Sequence, residues 1–235
     1  QPQVRLPGGE LASAEALLRW RHPKCGVLAP AAFLSALESG VLAEPVGRWI
    51  IETACAQASV WRSVDPGFRI GVNLFAAQFR DGRLPQVLLE ALARHGLASD
   101  ALGLEITENI VLDRQQAVVR QLFELREAGF RLAFDDFGTG YASLNLLRSF
   151  PITHIKIHRN FTCAMHSSPK DRAIVVSLIE LARRLGLEVV AEGIQNHDDS
   201  AFLACHGCDK GQGYYFGKPV PSRLFTEQFF TGRRS

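Results

Sequence analysis

From residue 68 onward, short apolar runs alternate with amphipathic stretches whose apolar positions recur every three or four residues, and this exchange of periods constrains the fold more than any other feature. Phe68 to Leu74, Leu102 to Ile106, the run from Leu132, His154 to Ile157, Glu188 to Ala191 and Gly211 to Phe216 read as strands. Pro85 to His95, Gln115 to Ala128, Ser143 to Arg148, Lys170 to Leu185 and a segment near Asp199 to Cys205 read as the helices between them, and Pro221 to Phe230 closes the chain as another. Upstream, Gln1 to Leu6 and Leu11 to Trp20 flank Pro7-Gly8-Gly9-Glu10, a hairpin signal that sets the first strand antiparallel to the second. From Pro30 the spacing of Phe33, Leu34, Leu37, Val41 and Leu42 is helical, and a second helix carries Val46, Trp49, Ile50, Thr53, Ala54 and Gln57 at the same spacing.

Counting both arms of the hairpin, this is the recipe for an α/β fold, a closed (β/α)8 TIM-like barrel with its first strand antiparallel. A doubly wound open sheet uses the same alternation, and periodicity does not separate the two, although no glycine-rich dinucleotide fingerprint opens the chain. At 235 residues the chain suits one large α/β domain or two small ones, and 47% apolar residues with 15 phenylalanines supply a sizeable core.

A formal charge of +2 argues against a long nucleic-acid footprint and leaves a small anionic ligand open. The five cysteines are odd in number and scattered, which fits reduced thiols in a cytoplasmic compartment. Cys205 and Cys208 form a C-x-x-C without the second pair that a zinc site needs, and read as packed helix-end thiols. No apolar run reaches the length of a membrane span, so no direct membrane insertion is expected of this domain, and no signal peptide opens the chain. The start at Gln1-Pro2, without methionine, reads as a piece of a longer polypeptide, including the cytoplasmic part of a membrane-attached one.

Polar residues fall where the strands end. Glu15, Asn73, Glu105 with Glu108, Asp135 with Asp136, Lys156, Glu192 and Gln212 each interrupt or terminate an apolar run. In a barrel those ends ring one mouth, where catalytic groups gather. Leu132 to Leu144, LAFDDFGTGYASL, is the densest case: two adjacent carboxylates run into a Gly-containing turn. Side chains alternate along a strand, so Asp135 and Asp136 are expected to converge only where the strand stops and the glycines let the backbone bend. An acid-rich set with amide oxygen and no His or Cys suits Mg²⁺ or Mn²⁺ and not zinc. Two adjacent aspartates let one carboxylate bridge a pair of ions, the arrangement that stabilises attacking and leaving oxygens in phosphoryl displacement. Lys156 among these acids either orients or deprotonates a water, or balances charge.

Read together, Ala14-Glu15-Ala16-Leu17-Leu18-Arg19-Trp20, Asn73-Leu74-Phe75-Ala76-Ala77-Gln78-Phe79, Glu105-Ile106-Thr107-Glu108, Asp135-Asp136-Phe137-Gly138-Thr139-Gly140-Tyr141, Lys156-Ile157-His158, Ala191-Glu192-Gly193-Ile194 and Gln212-Gly213-Tyr214 resemble the EAL family of cyclic-di-GMP phosphodiesterase domains. The resemblance covers nearly the whole chain in the family's order, which implies a single EAL-type barrel domain over residues 1–235, excised from a longer multidomain signalling protein. It implies two divalent cations, Mg²⁺ or Mn²⁺, with Glu15, Asn73, Glu105 and Asp135 as ligands of one, Asp135 and Asp136 of the other, and Glu192 a ligand directly or through water. Lys156 resembles the residue that activates the nucleophilic water, and Glu108 the acid that braces the loop holding Thr139. Gln1, Leu17, Arg19, Gln212 and Pro219 match positions touching the guanines or phosphates of cyclic di-GMP; Arg19 is apt because its fork grips a phosphate bidentately. Similar domains open the dinucleotide to linear pGpG, commonly as homodimers paired near the Asp-Asp loop, and the Gly138-Thr139-Gly140 turn is expected to order on ligand binding.

Three positions depart from the family pattern: His158 stands in place of Asp, Phe75 in place of a small hydroxyl residue, and Gln195 in place of Glu. None removes a presumed ligand. They leave a weakly active or inactive domain, acting as a cyclic-di-GMP receptor, as the alternative to the phosphodiesterase.

Overall fold

The computed structural model describes residues 1–108, 110, 116–138 and 144–231, and in it eight strands close into one cylinder. The hairpin Pro2–Arg5 (β1) and Leu11–Ala16 (β2) is followed by a separate small pair, Trp20–His22 (β3) and Gly26–Leu28 (β4). The remaining strands are Ile70–Asn73 (β5), Leu102–Thr107 (β6), Arg131–Phe137 (β7), His154–Ile157 (β8), Glu188–Ala191 (β9) and Lys210–Gln212 (β10). Around the cylinder the order is β1-β10-β9-β8-β7-β6-β5-β2. Only β1 runs against its neighbours β2 and β10; the other pairs are parallel. The closed ladder excludes the open sheet and leaves the (β/α)8 TIM-like barrel with a reversed first strand.

The apolar strands read from the sequence are buried on both sides because helices cover the cylinder from outside. Val72, Leu104, Ile106, Leu132, Phe134, Ile155 and Ile157 are all withdrawn from water. The outer helix Ala43–Arg62 packs through Gly47, Ile51, Ala54, Cys55, Ala58 and Trp61. This face is rotated from the one that sequence spacing suggests, since Trp49 is 57% exposed. Small residues let the helix lie close to the layer beneath it: a Cβ on Gly47 would meet Gln78 Cδ at 2.6 Å. Trp61 stacks on Phe230 at 5.6 Å and donates from Nε1 to Thr226 Oγ1 at 2.8 Å, which ties this helix to the closing helix Ser222–Phe229.

Leu11 to Trp20 is not one strand. Pairing of β2 with β5 stops at Ala16, and Leu17 to Arg19 leave the ladder before β3 begins. The final strand likewise ends at Gln212, and residues 213–216 form a turn. A short helix, Arg159–Ala164, has no counterpart in the sequence reading, because with Thr162 its one buried residue it has no apolar stripe to betray it. Of the C-x-x-C pair, Cys208 is buried but Cys205 is exposed. None of the described helices is long and apolar enough to cross a membrane.

Candidate metal centre and nucleotide cleft

The ends of β2, β5, β6, β7, β8 and β9 bring Glu15, Asn73, Glu105, Asp135, Asp136, Lys156 and Glu192 to one mouth of the barrel. At its centre stands the Lys156 ammonium, 2.7 Å from Glu105 Oε2, 2.8 Å from Glu192 Oε1, 3.0 Å from Asp135 Oδ1 and 3.2 Å from Glu15 Oε2. Burial alone would lower the Lys156 pKa, but Glu105, Glu15, Glu192 and Asp135 outweigh it and hold the amine charged, well above its ordinary value.

One cation does not neutralise four carboxylates. Burial, with Glu15 nearby, pushes Glu105 well above the carboxylate range, and burial carries Glu192 to about 7 with help from Asp135 and Glu15. Glu15 goes the other way. Its burial is overcome by Lys156 and by hydrogen bonds, including those from Gln212 Nε2 at 2.6 Å and Asn73 Nδ2 at 2.8 Å, so its pKa is lowered.

Asp135 and Asp136 converge by a device different from the expected one. The strand does not stop before the glycines; β7 runs on to Phe137. Its register against β8 slips instead, with Phe134 opposite Ile155 and Phe137 opposite Ile157, so β7 advances three residues while β8 advances two. This bulge puts Asp136 at φ 54°, a left-handed conformation that Asp tolerates better than most residues, and re-aims its side chain. The Asp136 N–H donates to Asp135 Oδ1 at 3.0 Å, fixing the pair.

The acids form two overlapping groups, Glu15–Glu105–Asp135 and Asp135–Asp136–Glu192, whose oxygens within each group lie within 4.8 Å of one another. Their shared member is Asp135, and every donor is a carboxylate oxygen. The set therefore fits hard, oxygen-seeking divalent cations. Asn73 stands beside the first group through its bond to Glu15.

Gln1, Leu17, Arg19 and Pro219 line, with Glu15, a cleft of about 500 Å³ that runs from the mouth toward the helix Ala43–Arg62. Trp49, Ile50, Thr53, Ala54 and Gln57 form its far wall, so the helix face singled out by spacing is the cleft wall. Gln212 reaches the same place, donating from Nε2 to Gln1 Oε1 at 3.1 Å as well as to Glu15. Glu108 stands apart from the acid ring. Its Oε1 accepts the Gly138 N–H at 3.2 Å, and burial raises its pKa. Thr139 and Gly140 lie outside the described residues.

Sequence reading missed the buried relay behind Gln212. Ser13 Oγ donates to Gln3 Oε1 at 2.7 Å, and Gln3 Nε2 donates to Gln212 Oε1 at 2.9 Å. The signal was present, since Gln1 with Gln3, and Ser13 with Glu15, are two apart on their strands and share a face. Gly71 was missed as well: a Cβ there would lie 2.3 Å from Glu105 Oε1, so a side chain at this position would displace that carboxylate.

The family model for the EAL domain matches residues 1–219. The cyclic di-GMP phosphodiesterase PA2567 of Pseudomonas aeruginosa is 38% identical over 225 residues, which are 95% of this chain and 38% of that protein. The bifunctional diguanylate cyclase/cyclic di-GMP phosphodiesterase MucR of the same organism is 38% identical over 225 residues, 94% of this chain and 33% of that protein. The chain thus spans well under half the length of these relatives. Among solved structures, the EAL enzyme Bd1971 in its cAMP- and cyclic-di-GMP-bound form superposes with a TM-score of 0.94 at 33% identity, over 97% of this chain and 63% of that one. The PaMucR phosphodiesterase in complex with c-di-GMP superposes at 0.89 with 37% identity, over 96% and 92% respectively. With the family match running through every strand of the cylinder, from Gln1 to Pro219, this chain belongs to the EAL domain family.

Proposed function

We propose that this domain is a divalent-cation-dependent phosphodiesterase that hydrolyses cyclic di-GMP to linear pGpG. The observation that carries this reading is the pair of carboxylate groups sharing Asp135, set around a buried lysine and opening onto the Arg19 cleft. Glu15, Asn73, Glu105 and Asp135 would hold one cation and Asp135, Asp136 and Glu192 the other, Mg²⁺ or Mn²⁺ by donor type. When bound, such a pair stabilises the attacking and leaving oxygens of an in-line displacement.

The chain's own groups do the positioning. Arg19 grips a phosphate with its planar fork. Gln1 and Gln212 offer amides, and Leu17 and Pro219 apolar surface, to the guanine end of the ligand. Lys156 keeps its proton and donates from Nζ to the attacking water, orienting it toward phosphorus. The water oxygen bonds to phosphorus as the P–O3′ bond breaks, one proton of the water ends on the departing O3′, and the linear product carries a 5′-phosphate and a free 3′-hydroxyl. Glu108 holds the Gly138 N–H, just past the end of β7.

The EAL-type barrel is read as residues 1–235, one unit of a longer signalling protein that acts as a homodimer paired near the Asp-Asp loop. Five free thiols support a reducing, cytoplasmic setting. A second reading, a cyclic-di-GMP receptor without turnover, is favoured by one feature: Lys156 by itself already contacts four carboxylates of the site.

Purified protein incubated with cyclic di-GMP and Mg²⁺ or Mn²⁺, followed by chromatography, tests the proposal. Linear pGpG formed only with the cation supports it; no linear product at any cation level sinks the enzyme reading. Tight binding that survives chelation, without turnover, establishes the receptor.

A further inference from the structure

The two carboxylate groups are not equally well supported. Glu15 and Glu105 lie inside the ladder, on β2 and β6, and Asp135 still pairs with Thr107 across it. Asp136 by contrast sits in a bulge with its side chain 47% exposed, and Glu192 lies just past the last residue of β9. The second group therefore needs support from outside the sheet.

One short helix, Arg159–Ala164, touches both of its outer members. His158 caps the helix, its Nδ1 accepting the Asn160 N–H at 3.1 Å, which leaves the ring proton on Nε2. That Nε2 faces Asp136 Oδ1 at 3.5 Å. On the other side Thr162, 1% exposed, donates from Oγ1 to the Glu192 carbonyl oxygen. Gly193, at φ 75°, keeps the approach close: a Cβ there would lie 2.6 Å from Arg159 Cβ. Phe161 closes the contact under Gly138, where a Cβ would lie 3.1 Å from its ring.

We infer that the helix Arg159–Ala164, through His158 and Thr162, is a bracket that sets the separation of Asp136 and Glu192 and so tunes the second cation-holding group independently of the first. His158 and Thr162 are positioning residues. The inference deepens the proposed function and rests on the acids holding two cations. Outer-sphere partners of metal-holding carboxylates commonly govern affinity by 10- to 100-fold.

Mn²⁺ alone, titrated into the purified protein and followed by electron paramagnetic resonance, reads the number of ions bound and their magnetic coupling without any turnover. The wild type is expected to take two coupled ions. Thr162→Val removes the hydroxyl, and His158→Asn keeps a good helix cap but does not reach Asp136. Both should leave the first ion in place, weaken the second about tenfold or more, and abolish the coupled signal at concentrations that saturate the wild type. Thr162→Ser should restore it. If Thr162→Val does not fold, His158→Asn decides the matter, because it leaves the buried hydroxyl untouched. Two coupled ions at wild-type affinity in the folded variants overturn the bracket alone. A wild type that takes no Mn²⁺ overturns the bracket together with the reading beneath it.

Discussion

Lys156 Nζ and Glu105 Oε2 stand 2.7 Å apart inside the barrel, the lysine 1% and the glutamate 3% exposed. Neither group is placed there for packing. A buried ammonium is tolerable only against carboxylates, and buried carboxylates only against a cation, so the two strand ends β6 and β8 hold each other in place.

Replacing Lys156 by Met removes that charge at nearly constant volume. In the presence of a chelator the variant should lose about 3 kcal/mol of stability in urea unfolding, because four carboxylates keep no counter-charge. Added Mn²⁺ should recover most of the loss while turnover stays abolished. Equal stability of variant and wild type in chelator would contradict the charge-balancing role.

Gly71→Ala is expected to cost at least tenfold in turnover although the residue carries no chemistry, since its methyl would fall 2.3 Å from Glu105 Oε1 and displace the carboxylate. Gly103→Ala is the control. Its methyl would meet nothing nearer than Gly71 Cα at 3.9 Å, and activity should persist. Steady-state kinetics on the two variants separate the cases.

Arg19→Lys keeps the charge at the cleft but loses the planar fork. The KM for cyclic di-GMP should rise about tenfold, with a smaller effect on kcat. A kcat loss with unchanged KM would place Arg19 in the chemistry instead.

At the far end of β8, burial lowers the His154 pKa from 6.5 to about 3. A depressed base stabilises the fold above its unfolded pKa and loses that contribution as pH falls toward its folded value. Stability should therefore decline between about pH 6.5 and pH 3, and His154→Gln should flatten that slope. Urea unfolding across the range measures it; an unchanged slope would show that other groups dominate.

The sequence made the barrel and its acid mouth legible because both follow from strand ends. Apolar runs broken by Glu15, Asn73, Glu105, Asp135 and Glu192 carry their own position, and once β1 reverses, Gln1 joins them. What escaped was geometry that periodicity does not encode. The bulge at Asp136 depends on register against β8, a relation between segments and not a pattern within one. Trp49 lies on an apolar-looking face whose packing partner turned out to be the cleft, while the core took the Ala, Gly and Cys positions that hydropathy underrates. The helix at Arg159 is too short, and too little buried, for any helical stripe to register.

The seam of the cylinder passes through its working end. Gln3 on the first strand meets Gln212 on the last, and Gln212 in turn clasps Glu15, although the sequence separates these partners by roughly two hundred positions. A copy halted before the tenth strand would already contain every acid of the mouth, yet Glu15 would keep only the Asn73 amide and two raw sheet edges would lie open. The mouth is thus complete only once the cylinder has closed.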